Sequence, residues 1–247
     1  PPPSVATVRL TSNEERARRM KAVRDAMRKE DVDVLVVTGR DDIRYRGRTF
    51  WLSDYWQLLA DTHVVILPEG NPIWVGGQIF GPDQAMLTNW ADEFRMNGKP
   101  GTEIANLLKD KGCADGTVGI VGMSDASLAY QHYMELKEGL PDATLRDATD
   151  LFEDARHFNS EEELDNFRAT SQIFRNIYAE IEPKIRPGMT EIELAAMCHH
   201  ISREGGLRDP MILISSAPLD YGALSFGTTK KIGKDDVVTI WIESAGP

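Results

Sequence analysis

The chain is poor in cysteine, in unbroken apolar sequence and in positive charge, and each shortage closes off a class of protein. Its two cysteines, Cys113 and Cys198, lie far apart and in different predicted elements. They cannot form a disulfide framework, and the expectation is a reducing compartment. No run of about 18 uncharged apolar residues occurs, so no membrane-crossing helix is expected. Pro1 to Leu10 has no basic stretch followed by an apolar one, so no secretory signal is visible there. Lysine and arginine number 28 against 39 aspartates and glutamates, for a formal charge of -11. That balance disfavours nucleic acid and anionic membranes as partners. What is present is ordinary: 247 residues, 41% hydrophobic and 27% charged, enough for one large domain or two modest ones with buried cores. A soluble cytoplasmic protein is the expectation.

Ser12 can cap a helix on which Met20, Val23 and Met27 recur at helical spacing, with Glu15 three residues after the cap. The other face carries Arg16, Arg19, Lys21 and Arg28, expected to be solvated. Val32 to Thr38 is a short β-branched run that predicts a buried strand. His63 to Leu67 and Ile73 to Gly76 flank Pro68-Glu69-Gly70-Asn71-Pro72, the pattern of a hairpin. Helical patterns near Ile104 to Leu108 and Leu128 to Leu136 bracket another strand, Val118 to Gly122. Strands alternating with helices, plus a hairpin, predict an α/β domain with a mixed sheet over residues 12–150.

A second domain is expected over 155–247. Ser160 with Glu163 and Thr190 with Glu193 are two capping boxes. Leu164, Phe167, Phe174, Ile177 and Ile181 make one helical stripe, and Leu194, Met197 and Ile201 another. Gly205-Gly206 stops the second helix, and Met211 to Ser215 and Val237 to Ile242 predict strands.

The two junctions carry a resemblance. Ala155-Arg156-His157-Phe158-Asn159-Ser160-Glu161-Glu162-Glu163 resembles the opening of the catalytic domain in the creatinase, prolidase and aminopeptidase P family, with Asn159 where lysine is usual. Arg186-Pro187-Gly188-Met189-Thr190-Glu191-Ile192-Glu193-Leu194 is similar to that family's helix-to-helix junction, and Ile232-Gly233-Lys234-Asp235-Asp236-Val237-Val238 to the turn before its first metal ligand. The resemblance implies a creatinase-type N-terminal α/β domain followed by the first part of a pita-bread (α+β) catalytic domain. It further implies a homodimer that hydrolyses C–N bonds in dipeptides, peptides or small amidino compounds. In metal-dependent members two aspartates, a histidine and two glutamates hold two divalent ions, which activate a bridging water; a carboxylate-rich set suits manganese, cobalt or iron.

The sequence departs from that pattern at both positions it reaches. Aligning Asp236-Val237-Val238 puts Trp241 where the first aspartate ligand belongs, with Glu243 two residues on. Tyr221 to Gly227 lacks the substrate-facing histidine, its place falling on Leu224 or Ser225. The other ligands would follow Pro247, so the expectation is a truncated or proteolysed chain, or a companion chain that supplies the rest. These residues hold no metal by themselves, and a divalent ion is expected only if that missing part supplies ligands. Creatinase-like members use the fold without a metal, so loss of the aspartate does not imply loss of activity.

Arg44, Arg46 and Arg48 alternate beside Tyr45, Phe50, Trp51, Tyr55 and Trp56, a mixture able to hold an anion or stack a planar group. Since the N-terminal domain of one subunit often reaches the other's site in this family, Arg46, Arg48, Trp51 and Trp56 are the candidate substrate contacts, on a loop that could instead pack against the dimer partner. His199 and His200, adjacent on a helix, point about 100° apart and suit no shared metal. Gly119-Ile120-Val121-Gly122 and Gly76-Gly77 lack a phosphate-loop pattern. Ser215 and Ser216 lack a nucleophile elbow, and Cys113 at a helix end is no activated thiol. The expectation is therefore a hydrolase of a small amide, amidine or dipeptide with an atypical, metal-independent site, against the alternative of a non-catalytic binding module that keeps the fold.

Overall fold

The computed structural model describes residues 10–42, 44–55, 57, 60–77, 88–125, 127–218 and 224–245. It divides the described chain into two compact units, Leu10–Phe158 and Asn159 onward.

The first unit is built on a six-stranded mixed sheet in the order β4-β3-β2-β1-β5-β6. The strands are β1 Val34–Gly39, β2 Thr62–Ile66, β3 Ile73–Gly76, β4 Glu93–Met96, β5 Thr117–Val121 and β6 Thr144–Asp147. The turn-rich segment after Leu67 closes an antiparallel hairpin, Val64 pairing with Trp74. β1 runs parallel to β5, with Val36 opposite Ile120. β1 is buried along its length because both sheet faces are covered. Its residues alternate between two cores: Leu35 and Val37 join Trp74 and Phe152, while Val34 and Val36 join Leu107 and Leu136.

Helices α1 (Asn13–Lys29), α2 (Arg46–Ser53) and α5 (Thr149–Ala155) supply the first core. Helices α3 (Pro100–Asp110) and α4 (Tyr130–Gly139) supply the second. α3 and α4 touch so closely at Gly101 that a Cβ there would stand 2.2 Å from the carbonyl oxygen of His132. The N-terminal helix begins as expected, Ser12 Oγ accepting from the Glu15 amide at 3.1 Å.

Two expectations are corrected. Arg19 is not solvated. It is 6% exposed and donates to the Glu15 carboxylate at 2.8 Å and to the Trp51 carbonyl at 2.6 Å. A carboxylate one turn earlier and a carbonyl from a distant helix together offset its desolvation. The first unit also does not close at residue 150. α5 belongs to it, because Leu151 and Phe152 are buried in its core, and the unit runs to Phe158.

The second unit holds α6 (Glu161–Ile181), α7 (Glu191–Glu204) and an antiparallel pair, β7 (Arg208–Ala217) and β8 (Val237–Ala245). Both capping boxes form in full, at Ser160 with Glu163 and at Thr190 with Glu193. Ile177, Ile181, Leu194, Ile201, Ile212, Ile214 and Ile242 make the core. The long stripe on α6 is covered only toward its C-terminal end, and Phe167 stays 59% exposed.

Candidate functional site

The segment expected to meet substrate as a loop is a helix, α2, for most of its length. Arg48, expected as a substrate contact, is buried. Its guanidinium donates to Glu153 Oε1 at 2.6 Å, Asp125 Oδ2 at 2.5 Å and Ser127 Oγ at 3.2 Å. Burial works to lower its pKa, yet the two carboxylates raise it. The Asp125 carboxyl is in turn held below its usual range by Arg48 and Ser127, against the opposing effect of burial. Tyr45, just before the helix, donates its hydroxyl to the Asp125 carbonyl at 2.8 Å.

Trp51 is half-buried. Its ring meets Phe152 edge-on, centroids 5.8 Å apart, and the Arg19 guanidinium sits 4.9 Å over it. α2 ends at Asp54, whose amide donates to the Phe50 carbonyl at 2.8 Å before its left-handed backbone (φ 57°) turns the chain out of the helix. The Asp54 carboxylate accepts from the Thr11 amide at 3.0 Å, and burial raises its pKa. Arg46 is half-buried on the first turn of α2, and Arg44 is exposed beside Asp42. Trp56 lies outside the described residues. Of the four candidate contacts, the structure therefore places Arg48 and Trp51 in packing and ionic networks and Arg46 nearer the surface.

In the second unit, Trp241 and Glu243 share the outward face of β8. Trp241 is 47% exposed, and its indole Nε1 donates to Glu243 Oε2 at 3.3 Å. An indole N–H offers no lone pair, and one carboxylate alone is no site for a hard cation. Among the described residues no group of three His, Cys, Asp or Glu side chains is arranged to hold a metal, so the residues present do not fit the family's metal pair. Ser225, near the missing histidine, donates its hydroxyl to the Ile214 carbonyl at 3.3 Å and accepts from the Ile214 amide through its own carbonyl at 2.7 Å. His199 and His200 are exposed, His200 pairing with Glu204 at 3.3 Å.

Two groups escaped the sequence reading. Glu191, in the first turn of α7, is 4% exposed. It accepts from Ser216 Oγ at 2.8 Å and Thr228 Oγ1 at 2.6 Å, and from both backbone amides. Burial alone would raise its pKa, but those donors lower it. Lys230 Nζ donates to Ser216 Oγ at 2.7 Å and to Asp236 at 2.9 Å. Ser216 thus gives its proton to a carboxylate while facing an ammonium, an arrangement that orders the turn before β8 and does not make a nucleophile. The other group is His63 on β2, fully buried. Its Nδ1 lies 3.2 Å from Thr38 Oγ1 and its Nε2 3.2 Å from His132 Nδ1.

Creatinase/Prolidase N-terminal domains match residues 19–158, more than half of the 247 residues, and the chain belongs to that family. Among its relatives, the ectoine hydrolase of Halomonas elongata is 26% identical over 208 residues, covering 78% of this chain and 50% of its own. The creatinase of a Bacillus species is 24% identical over 242 residues, covering 93% and 56%. The chain thus spans about half the length of these curated relatives. The solved prolidase of Pyrococcus horikoshii superposes with a TM-score of 0.72 at 19% identity, over 92% of this chain and 61% of that one. That likeness shows the fold, the mixed α/β architecture of the pita-bread enzymes. No helix among the described residues is long and apolar enough to cross a membrane.

Proposed function

We propose that this chain is part of a hydrolase that cleaves a C–N bond in a small amide, amidine or dipeptide, at a site that takes no metal ligand from β8. The observation that carries this is Trp241 on β8, which falls at the family's first-aspartate position when Asp236-Val237-Val238 is aligned with the family's turn, and which is bound through its N–H to Glu243. Support for the substrate class comes from the relatives, named for ectoine, creatine and prolyl-dipeptide chemistry. The working protein in this proposal is a soluble cytoplasmic homodimer. Arg46 and Trp56 contact substrate, while Arg48 and Trp51 stiffen the helix that carries Arg46.

The test is turnover of ectoine, creatine and a Xaa-Pro dipeptide by the full-length protein, before and after exhaustive chelation. Hydrolysis of one of them, unchanged by chelation, is the expected result, with Arg46→Ala raising KM more than it lowers kcat. Activity that chelation abolishes and manganese, cobalt or iron restores would overturn the metal-independent site. Trp241 and the absent histidine also favour a second reading, a binding module without chemistry. No turnover of any substrate, together with a small amide or peptide that raises the unfolding temperature, would establish that reading instead.

A further inference from the structure

The first unit carries a cavity of about 560 Å3 that has no part in the site above. One wall is the outer face of α1, which presents Arg16, Lys21, Arg24 and Arg28; the other includes Asn71 from the hairpin turn and Trp90. No carboxylate lines it among the described residues. Arg24 is fixed in place, its Nε donating to the Leu67 carbonyl at 3.0 Å and its terminal nitrogen to the Gly70 carbonyl. Lys21 and Arg28 share a single counter-charge, Asp25. Arg16 reaches Asp54 through one terminal nitrogen at 3.5 Å, and its guanidinium lies 5.5 Å over the Trp90 ring.

Two donors at this wall are unmatched. Arg16 Nε and Trp90 Nε1 are both buried and have no hydrogen-bond partner among the described residues. Trp90 as a whole is only 8% exposed. Both atoms are shielded from solvent, so what the cavity itself offers a ligand is the part-exposed Arg16 guanidinium, whose side chain is 24% exposed, together with the cations of the α1 face. An oxyanion supplies several lone pairs and a charge to the guanidinium fork at once. The Trp90 ring and Met20 add an apolar surface for the body that carries it, and the volume falls in the range of small-molecule sites.

We infer that the cavity between α1 and the β2–β3 turn binds a small molecule through a carboxylate or phosphate group, held by the Arg16 guanidinium over the Trp90 ring and drawn in by Lys21, Arg24 and Arg28. The site stands apart from the catalytic proposal and does not depend on it.

The probe is the indole N–H signal of Trp90 in the 15N-labelled full chain, identified by its loss in Trp90→Phe. Inorganic phosphate and succinate are titrated separately, with sodium chloride at matched ionic strength as the control. A saturable shift of that signal, absent with chloride, is expected, and Arg16→Gln should weaken it at least about tenfold. Because Arg16 also meets Asp54, Lys21→Gln with Arg28→Gln serves as a second variant. Both side chains are largely exposed, so the fold survives while affinity drops. A response to phosphate alone assigns a phosphate ligand, to succinate alone a carboxylate, and to both a general oxyanion site. The site does not exist if neither anion moves the Trp90 signal beyond chloride, or if both variants bind as the parent does.

Discussion

The two units bury their sheets differently. In the first, β1, β2 and β5 are enclosed between helices on both faces, and Trp74, Leu35 and Phe152 are fully shielded. In the second, the described helices pack on one face of β7 and β8, and Val237 and Trp241 remain about half-exposed on the other. The same β-branched vocabulary therefore makes a closed core in one unit and a one-sided layer in the other. What differs is how many helices pack against the strands, and that governs how much each apolar side chain contributes.

The largest test of this contrast is Trp74→Ala. That ring packs against Tyr55 at 5.7 Å and Phe94 at 5.1 Å between centroids. Its removal should lower stability in denaturant unfolding by about 3–5 kcal/mol. A loss no larger than that of an exposed aromatic would mean that the first unit is not the closed core described here.

Acid should separate the units next. Burial, helped by the neighbouring His132, lowers the His63 pKa from 6.5 to about 3. The unfolded chain therefore takes up that proton first. The stability tied to a neutral His63 is complete above pH 6.5 and is lost as the pH falls toward 3. The slope is at most about 1.4 kcal/mol per pH unit. His63→Gln should flatten urea midpoints measured between pH 6.5 and 5, and an unchanged slope would place the acid sensitivity elsewhere.

Arg48→Met comes third. Breaking a buried ion pair is costly, but Asp125 and Glu153 are 27% and 34% exposed, so water screens what is left. A loss of about 1–2 kcal/mol is expected. If the variant instead leaves stability intact and raises KM, Arg48 belongs with the substrate contacts after all. The smallest effect should come from Phe167→Ser on the uncovered part of α6, within about 0.5 kcal/mol in either direction. A larger loss would show that a partner covers that stripe.

Much of this organisation is legible in short stretches of sequence. Ser160 with Glu163 and Thr190 with Glu193 mark two helix starts because a capping box closes within one turn. The hairpin shows itself because Gly70 takes φ 82° in a turn between two β-branched runs. β4 and β6 left no such mark. They are edge strands of mixed polarity, and Arg95 on β4 answers Glu93, Glu103 and Asp110 rather than a hydrophobic neighbour. Of the candidate site, the alternation of arginines and aromatics from Arg44 to Trp56 was visible. That Arg48 would be consumed by Asp125 and Glu153 was not, because its partners stand 77 and 105 residues away.

Local pattern thus marked the hairpin, the central strands and the two capping boxes, since each depends on residues within a few positions of one another. Tertiary structure alone decided which charges are buried: Arg19 beneath Trp51, Arg48 between two acids, Glu191 under four donors, and the cationic wall of α1 facing Trp90. Desolvation and pairing depend on what the folded chain brings alongside a group, and no spacing in the sequence encodes that neighbour.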